Sequence, residues 1–180
     1  MGKKIVISSV SASGKTTLVN ALTELYPDIY RLKTCTTRPV RPEENGDEYH
    51  FMEKHDMEVA VLCDAFVESS VVYGEYYGLT KEEVESNKDK NVLVILDVKG
   101  MKKFKKLYPD TLTIFIEPPP VAVLVDRLKE RNTTSEDVHK RINEIRSELK
   151  LIKKYDVLIP YGELPDMTAD FIDVVAKHIT

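Results

Sequence analysis

Ser8-Ser9-Val10-Ser11-Ala12-Ser13-Gly14-Lys15-Thr16-Thr17 follows directly on the apolar run Lys4-Ile5-Val6-Ile7. The segment is one glycine short of the phosphate-binding pattern G-x-x-x-x-G-K-[ST]: Ser9 stands where the first glycine belongs, and Gly14, Lys15 and Thr16 keep the rest. Such a loop cradles phosphates on successive backbone N–H groups, helped by the positive end of the helix that follows. Ser11, Ala12, Ser13, Gly14, Lys15, Thr16 and Thr17 are therefore the candidate triphosphate-binding residues. Lys15 reaches the β- and γ-phosphates in this reading, and the Thr16 hydroxyl is the candidate ligand for Mg²⁺. A serine-rich turn that only caps a helix is the plain alternative. A cap has no need of Gly-Lys-Thr at this place, so the loop is read as a nucleoside triphosphate site.

A chain of 180 residues with 42% hydrophobic and 31% charged residues is long enough for one domain with a substantial core. Its net charge of −4 gives no reason to expect a nucleic-acid or membrane surface. Cys35 and Cys63 are too few for a disulfide framework and lack metal-ligand spacing. Reduced thiols, no signal-peptide pattern and no run of membrane-spanning length together predict a cytoplasmic protein.

Strands and helices alternate along the chain. Apolar, β-branched runs at Lys4–Ser8, Asn91–Asp97, Thr111–Glu117 and Asp156–Pro160 read as buried strands of a parallel sheet. Helices are expected at Lys15–Leu25, Met101–Leu107, Pro119–Arg131, Ser135–Tyr155 and about Met167–His178. Thr133 or Thr134 with the carboxylate three residues on offers the long helix a capping box. The stretch from about Lys33 to Asn87 interrupts the alternation with strand-like pieces at Glu48–Met52 and Phe66–Tyr73 and a short helix at Glu53–Cys63. A segment inserted in this way into an α/β core is a natural substrate-binding subdomain.

Within the insert, Thr34-Cys35-Thr36-Thr37-Arg38-Pro39-Val40-Arg41-Pro42 packs hydroxyls and two arginines into a proline-stiffened loop. Two guanidinium forks suit one tetrahedral phosphate. Arginines alone would read as a solvated basic loop. Tyr49 and Tyr77 add phenolic donors, and the cluster then points to a second phosphorylated molecule opposite the triphosphate.

Taken in order, these motifs resemble the guanylate kinase family over nearly the whole length. The phosphate loop is followed by Thr36-Thr37-Arg38-Pro39-Val40-Arg41-Pro42 through Tyr49-His50-Phe51, then Phe66-Val67-Glu68-Ser69-Ser70, Glu75-Tyr76-Tyr77-Gly78-Leu79-Thr80 and Leu96-Asp97-Val98-Lys99-Gly100. Ile114-Phe115-Ile116-Glu117-Pro118-Pro119 and the segment Arg127 to Arg141 complete the series. The resemblance implies an α/β fold: a P-loop three-layer core with a parallel sheet, an inserted monophosphate-binding subdomain and a helical lid. As one domain over 1–180, the core would take about 1–32, 88–126 and 150–180, the insert about 33–87 and the lid about 127–149. It implies transfer of the γ-phosphate of ATP to GMP or dGMP with Mg²⁺, in a monomer or homodimer. Lys15, Arg38, Arg131 and Arg141 become the catalytic candidates, the last two as lid arginines. Thr34, Arg38, Arg41, Tyr49 and Tyr77 hold the acceptor phosphate or line its pocket, Glu68 accepts from guanine N1–H and the 2-amino group, and Asp97 faces the nucleotides. Thr80 is grouped with the substrate-binding residues.

Four positions depart from the family pattern. Ser9 replaces a glycine and would be strained if φ is positive there. Leu79 stands where a hydroxyl usually meets the guanine 6-oxo group, and Thr80 beside it points the other way along a strand. Ile95 replaces the first of two aspartates, and Pro160 a late asparagine. Two other readings stay open at this point: a P-loop kinase for another phosphorylated acceptor, and a non-catalytic guanylate kinase-like binding module. Leu79 favours the former, whereas the retained Lys15 speaks against the latter.

Overall fold

The computed structural model describes residues 2–10, 13–42, 44, 46–72, 74–130 and 135–179, without the side chains of 135 and 136. The elements in chain order are β1 Lys4–Ser8, α1 Lys15–Leu25, β2 Ile29–Arg31, β3 Cys35–Thr36, β4 His50–Phe51, α2 Lys54–Leu62, β5 Phe66–Val72, β6 Glu75–Thr80 and α3 Lys81–Ser86. They continue with β7 Asn91–Ile95, α4 Val98–Leu107, β8 Leu112–Ile116, α5 Val121–Glu130, α6 Ser135–Leu149, β9 Val157–Ile159 and α7 Leu164–Ile179. Five strands form a parallel sheet in the order β2-β7-β1-β8-β9, and four form a second sheet in the order β4-β3-β6-β5. The chain is α/β, as expected. By internal packing it divides into two units, residues 1–4 with 28–111, and residues 5–27 with 112–180.

In the second unit, Ile5–Ser8 of β1 are buried and pair with β8, from Ile5 opposite Leu112 to Ser8 opposite Phe115. That fits a strand with both faces covered, which needs no polar alternation. Helices α1 and α7 pack together, α1 burying Leu18, Val19 and Leu22 and α7 burying Met167, Phe171 and Val175. Asp156 ties β9 to β8: its Oδ2 accepts from the Thr113 N–H at 2.8 Å and the Thr113 hydroxyl at 2.7 Å. The long helix expected to reach Tyr155 ends instead at Leu149, followed by a 3₁₀ turn at Ile152–Lys154. Tyr155 is buried with its ring 5.1 Å from that of Phe115, and seating it there takes the chain out of the α-helical path. The capping box expected at Thr133 or Thr134 lies outside the described residues.

In the first unit, β5 and β6 form the long antiparallel hairpin of the insert, with a bulge between Phe66 and Glu68. One face of this sheet packs on α2 through Cys35, Met57 and Phe66, with Met52, Ala60, Ala65 and Tyr76 around them. The other face carries Thr36, Phe51, Glu68, Ser70, Tyr77 and Leu79, since directly opposed residues share a face. Helix α4 starts at Val98, three residues before the apolar pattern predicts, because Asp97 caps it by accepting the Gly100 N–H at 2.7 Å. Its Val98, Gly100, Met101 and Phe104 are buried while Lys99, Lys102 and Lys103 point outward.

Gly78 is fixed by space. A Cβ there would come within 2.7 Å of the Phe66 ring and 3.0 Å of Met57 Cε. Gly78→Ala is therefore expected to destabilise the insert by about 1–3 kcal/mol through overpacking. Thermal denaturation of the variant checks this, and an unchanged midpoint would contradict it.

Candidate functional site

The candidate triphosphate loop lies between β1 and α1. Gly14 occupies the left-handed region (φ 88°, ψ 13°), and nothing lies within 4 Å of its missing Cβ. Backbone conformation rather than crowding thus requires the glycine. Its carbonyl accepts from the Thr17 and Leu18 N–H groups, opening α1 with no side-chain cap and no acidic residue in its first turn. A helix start of that kind favours an anion. Lys15 Nζ donates to the carbonyls of Ser9 and Val10 at 3.0 and 2.9 Å. Ser13 is buried, while Thr16 and Thr17 are exposed on the first turn of α1. Ser11 and Ala12 lie outside the described residues. Ser9 does not adopt a positive φ; among the described non-glycine residues only Asp64 does. The strain that a serine there could have introduced is absent.

Five of the expected acceptor residues come together in the insert. Arg38, only 8% exposed, lies over the Tyr49 ring at 4.8 Å and the Phe51 ring at 5.4 Å. Tyr49 meets Tyr77 edge to face at 6.1 Å. Burial and the neighbouring Tyr49 raise the Tyr77 phenol, while Arg38, a hydrogen bond with Thr36 and Arg41 pull it down. Thr34 is buried just before β3, its carbonyl accepting the His50 N–H at 3.0 Å.

Glu44 was not foreseen. Its carboxylate takes the end of the Arg38 fork, Nη1 donating to Oε2 at 2.7 Å and Nη2 to Oε1 at 2.5 Å. The Arg41 backbone N–H donates to Oε2 at 2.9 Å, and a turn bond from the Glu44 N–H to the Arg41 carbonyl fixes the carboxylate in place. Burial alone would raise the Glu44 carboxyl, but the hydrogen bonds from Arg38 and Arg41 hold it below its ordinary value. The second Nη1 hydrogen goes to the Pro39 carbonyl at 2.9 Å. That leaves the Nε–H and one Nη2–H of Arg38 without a partner among the described residues, a second fork on the side edge of the guanidinium. The sequence signal for Glu44 is a carboxylate three residues after Arg41 in a turn-rich stretch.

Glu68 and Asp97 form a second cluster. Glu68 is 4% exposed, and its Oε2 has no hydrogen-bond partner among the described residues. Burial, then the charge of Asp97, pushes its carboxyl up to about 7, with Lys103 opposing. Gly100 makes room for it, since a Cβ there would stand 2.6 Å from Glu68 Oε2. Leu79, opposite Glu68 in the hairpin, is fully buried on the same face. Thr80, grouped with the substrate-binding residues, has a structural role here. Its hydroxyl oxygen caps α3 by accepting the Glu83 N–H at 3.2 Å, and it belongs to the face opposite Leu79. It therefore does not stand in for a hydroxyl at position 79.

Of the expected lid arginines, Arg141 is half-buried on α6 beside the buried Ile142, and Arg131 lies outside the described residues. Ile95 ends β7, and Pro160 follows β9, exposed.

A sequence model described as guanylate kinase matches residues 1–178. The chain belongs to the guanylate kinase family. The guanylate kinase of Hydrogenovibrio crunogenus is 38% identical over 162 residues, 88% of this chain and 79% of that protein. That of Pseudoalteromonas translucida is 33% identical over 184 residues, 99% of this chain and 89% of that one. In fold, the chain is similar to the crystal structure of guanylate kinase from Anaplasma phagocytophilum, with a TM-score of 0.77 at 23% identity, over 99% of this chain and 87% of that one. No described helix is long and apolar enough to cross a membrane.

Glu68 makes the site costly to fold. Between an ordinary 4.5 and about 7, the folded chain keeps a proton that the unfolded chain has released. Stability from this group therefore falls as pH rises through that window and stays lower above it, by about 3 kcal/mol in all. Glu68→Gln cannot ionise and escapes the loss. It is expected to melt about 5–10 °C higher than the parent at pH 8 and much closer to it at pH 5. An equal difference at both pH values, by calorimetry, would contradict this assignment.

Proposed function

We propose that this chain phosphorylates GMP and dGMP at the expense of ATP, with Mg²⁺ assisting an in-line transfer. One observation carries the reading: a buried, unpartnered carboxylate at Glu68 accompanies the Arg38–Tyr49–Tyr77 cluster in one unit. An acceptor with an anionic phosphate at one end and paired N–H donors at the other satisfies both, and guanine's N1–H and 2-amino group are such donors. The Gly14–Thr16 loop, in the chain's other unit, supplies the donor half.

The residues divide the work by charge. The acceptor phosphate already carries its nucleophilic oxygen, so no general base is needed; the task is to bring two anions into line and neutralise them. Arg38, through its side fork, and Arg41 bind the acceptor phosphate, with Thr34, Tyr49 and Tyr77 around it. Lys15 and the loop N–H groups bind the donor phosphates, and Arg131 and Arg141 are the candidates for charge on the transferring group. Thr16 is the residue that would hold Mg²⁺: it carries a hydroxyl and is exposed on the first turn of α1. A cation held by one protein oxygen, phosphates and waters matches the habit of Mg²⁺. When bound, the ion would offset the negative charge of the phosphates during transfer. Glu68 and Asp97 read the base. With Leu79 offering no hydroxyl to the 6-oxo group, discrimination against adenine rests on Glu68. AMP would leave that buried carboxylate unpaired, a rejection worth up to about 10⁴-fold in sites of this kind. The same proposal has the protein work in the cytoplasm as a monomer or homodimer, without a nucleic-acid or membrane partner.

Lys15→Ala is expected to lower turnover roughly 10²- to 10³-fold while leaving the melting temperature unchanged. Arg38→Ala is expected to raise the KM for GMP roughly 10- to 100-fold, with the KM for ATP little changed. The parent's KM for GMP should rise as pH falls through about 7, where Glu68 takes up its proton. Coupled assays of ATP turnover against GMP, dGMP, AMP, CMP and UMP test the whole assignment. Faster turnover with AMP or a pyrimidine monophosphate would overturn the guanine reading, and no turnover with any acceptor would overturn the kinase reading.

A further inference from the structure

Two serines meet at the base of the triphosphate loop, one of them in the place of a glycine. The Ser9 and Ser13 hydroxyls are in hydrogen-bond contact. Ser13 Oγ also lies 2.9 Å from the Val10 carbonyl, which can only accept, so the Ser13 proton points there. Ser9 must then donate to Ser13, and the order is Ser9 O–H to Ser13 Oγ–H to the Val10 carbonyl. Ser9 Oγ stands 3.4 Å from that same carbonyl, too far to compete well. The Val10 carbonyl has a second lone pair, and Lys15 Nζ takes it at 2.9 Å while also donating to the Ser9 carbonyl at 3.0 Å. Ser13 is 5% exposed and Ser9 is half-buried, so the Ser13 end of the relay is shielded from water.

We infer that the Ser9–Ser13 hydroxyl pair is a clasp across the base of the loop, and that these two side chains are positioning residues for Lys15 and the donor nucleotide. The inference rests on the reading of this loop as the ATP site. The clasp joins the end of β1 to the residue before Gly14 and fixes the two carbonyls on which the Lys15 ammonium rests. A glycine at position 9 would leave that join to the backbone alone. Serine is tolerated because its backbone avoids the left-handed region. Holding Ser13 and the two carbonyls in place before the nucleotide arrives reduces the ordering that binding would otherwise require.

The test uses the full chain and a fluorescent ADP as probe, with KM values for ATP and GMP measured alongside. Ser9→Ala and Ser13→Ala are each expected to weaken ADP binding about two- to tenfold, the worth of one hydrogen bond. The KM for ATP should rise in step and the KM for GMP should not. Because the two hydroxyls act as one unit, the double variant should be no weaker than the weaker single variant. Ser9→Thr keeps the hydroxyl and should bind as the parent does. Ser9→Gly removes the same hydroxyl and gives a second measurement if Ser9→Ala fails to fold. Unchanged ADP affinity in Ser9→Ala or Ser9→Gly, or losses that multiply in the double variant, would overturn the clasp. Lys15→Ala separates the two levels: if it binds ADP as the parent does, the donor-site reading itself fails, whereas weak binding there beside normal Ser9 variants removes only the clasp.

Discussion

A carboxylate removed from water, with one oxygen unpartnered among the described residues, is the constraint around which the unit that holds Glu68 is organised. Glu68 reaches its position from a bulged strand, and the bulge sets which face of the hairpin it occupies. Position 100 has to be glycine-sized, because any Cβ there meets the carboxylate. Asp97 turns one oxygen onto the head of α4, and Lys103, whose ammonium donates to the Ser69 carbonyl at 3.0 Å, lends positive charge from the same helix. None of this satisfies Oε2. A buried group left unsatisfied in a native fold calls for an explanation, and a ligand that brings donors supplies one. Stability given up at such a site is regained as selectivity when the right base binds.

The groups proposed to bind phosphate follow the opposite rule. Lys15 rests on two carbonyls, and Arg38 is held by Glu44 at one edge and lies over the rings of Tyr49 and Phe51. Long cationic side chains lose much rotamer freedom when they bind, so holding them in place beforehand lowers what binding must overcome. Glu44 does this without consuming the whole guanidinium, because a planar fork has two edges and the carboxylate uses one. Ser9 and Ser13 bring the same economy to the donor loop. In the proposed function the base would thus be met by a group in want of partners, and the phosphates by groups already aligned.

How much of this could be read from the chain differs element by element. The strand Lys4–Ser8 and the helix Lys15–Leu25 have the bounds expected of them, because a buried parallel strand and a glycine-marked helix start are local patterns. The short strands Ile29–Arg31 and Cys35–Thr36 and the hairpin arm Glu75–Thr80 carry no periodicity strong enough to stand out; they are strands because they have partners. Helix α4 begins early because one aspartate caps it, and the chain leaves the helix after Leu149 so that Tyr155 can be buried on Phe115. A cap is local and could have been read; a ring seated on a strand 40 positions earlier could not.

The sequence by itself determined the chemistry on offer: a phosphate loop with its lysine and hydroxyl, two arginines stiffened by prolines, phenols, and a carboxylate in the right order to suggest a guanylate kinase. Spacing along a chain fixes such motifs because each works within a single loop or turn. Only the tertiary structure decided which of these groups meet. It set Glu44 on Arg38, faced Leu79 rather than Thr80 toward the side that holds Glu68, and gave Thr80 to a helix cap. It also joined Ser9 to Ser13 without backbone strain. Those outcomes depend on strand register and burial, where a shift of one residue reverses a face, and that information belongs to the packed sheet rather than to any short run of residues.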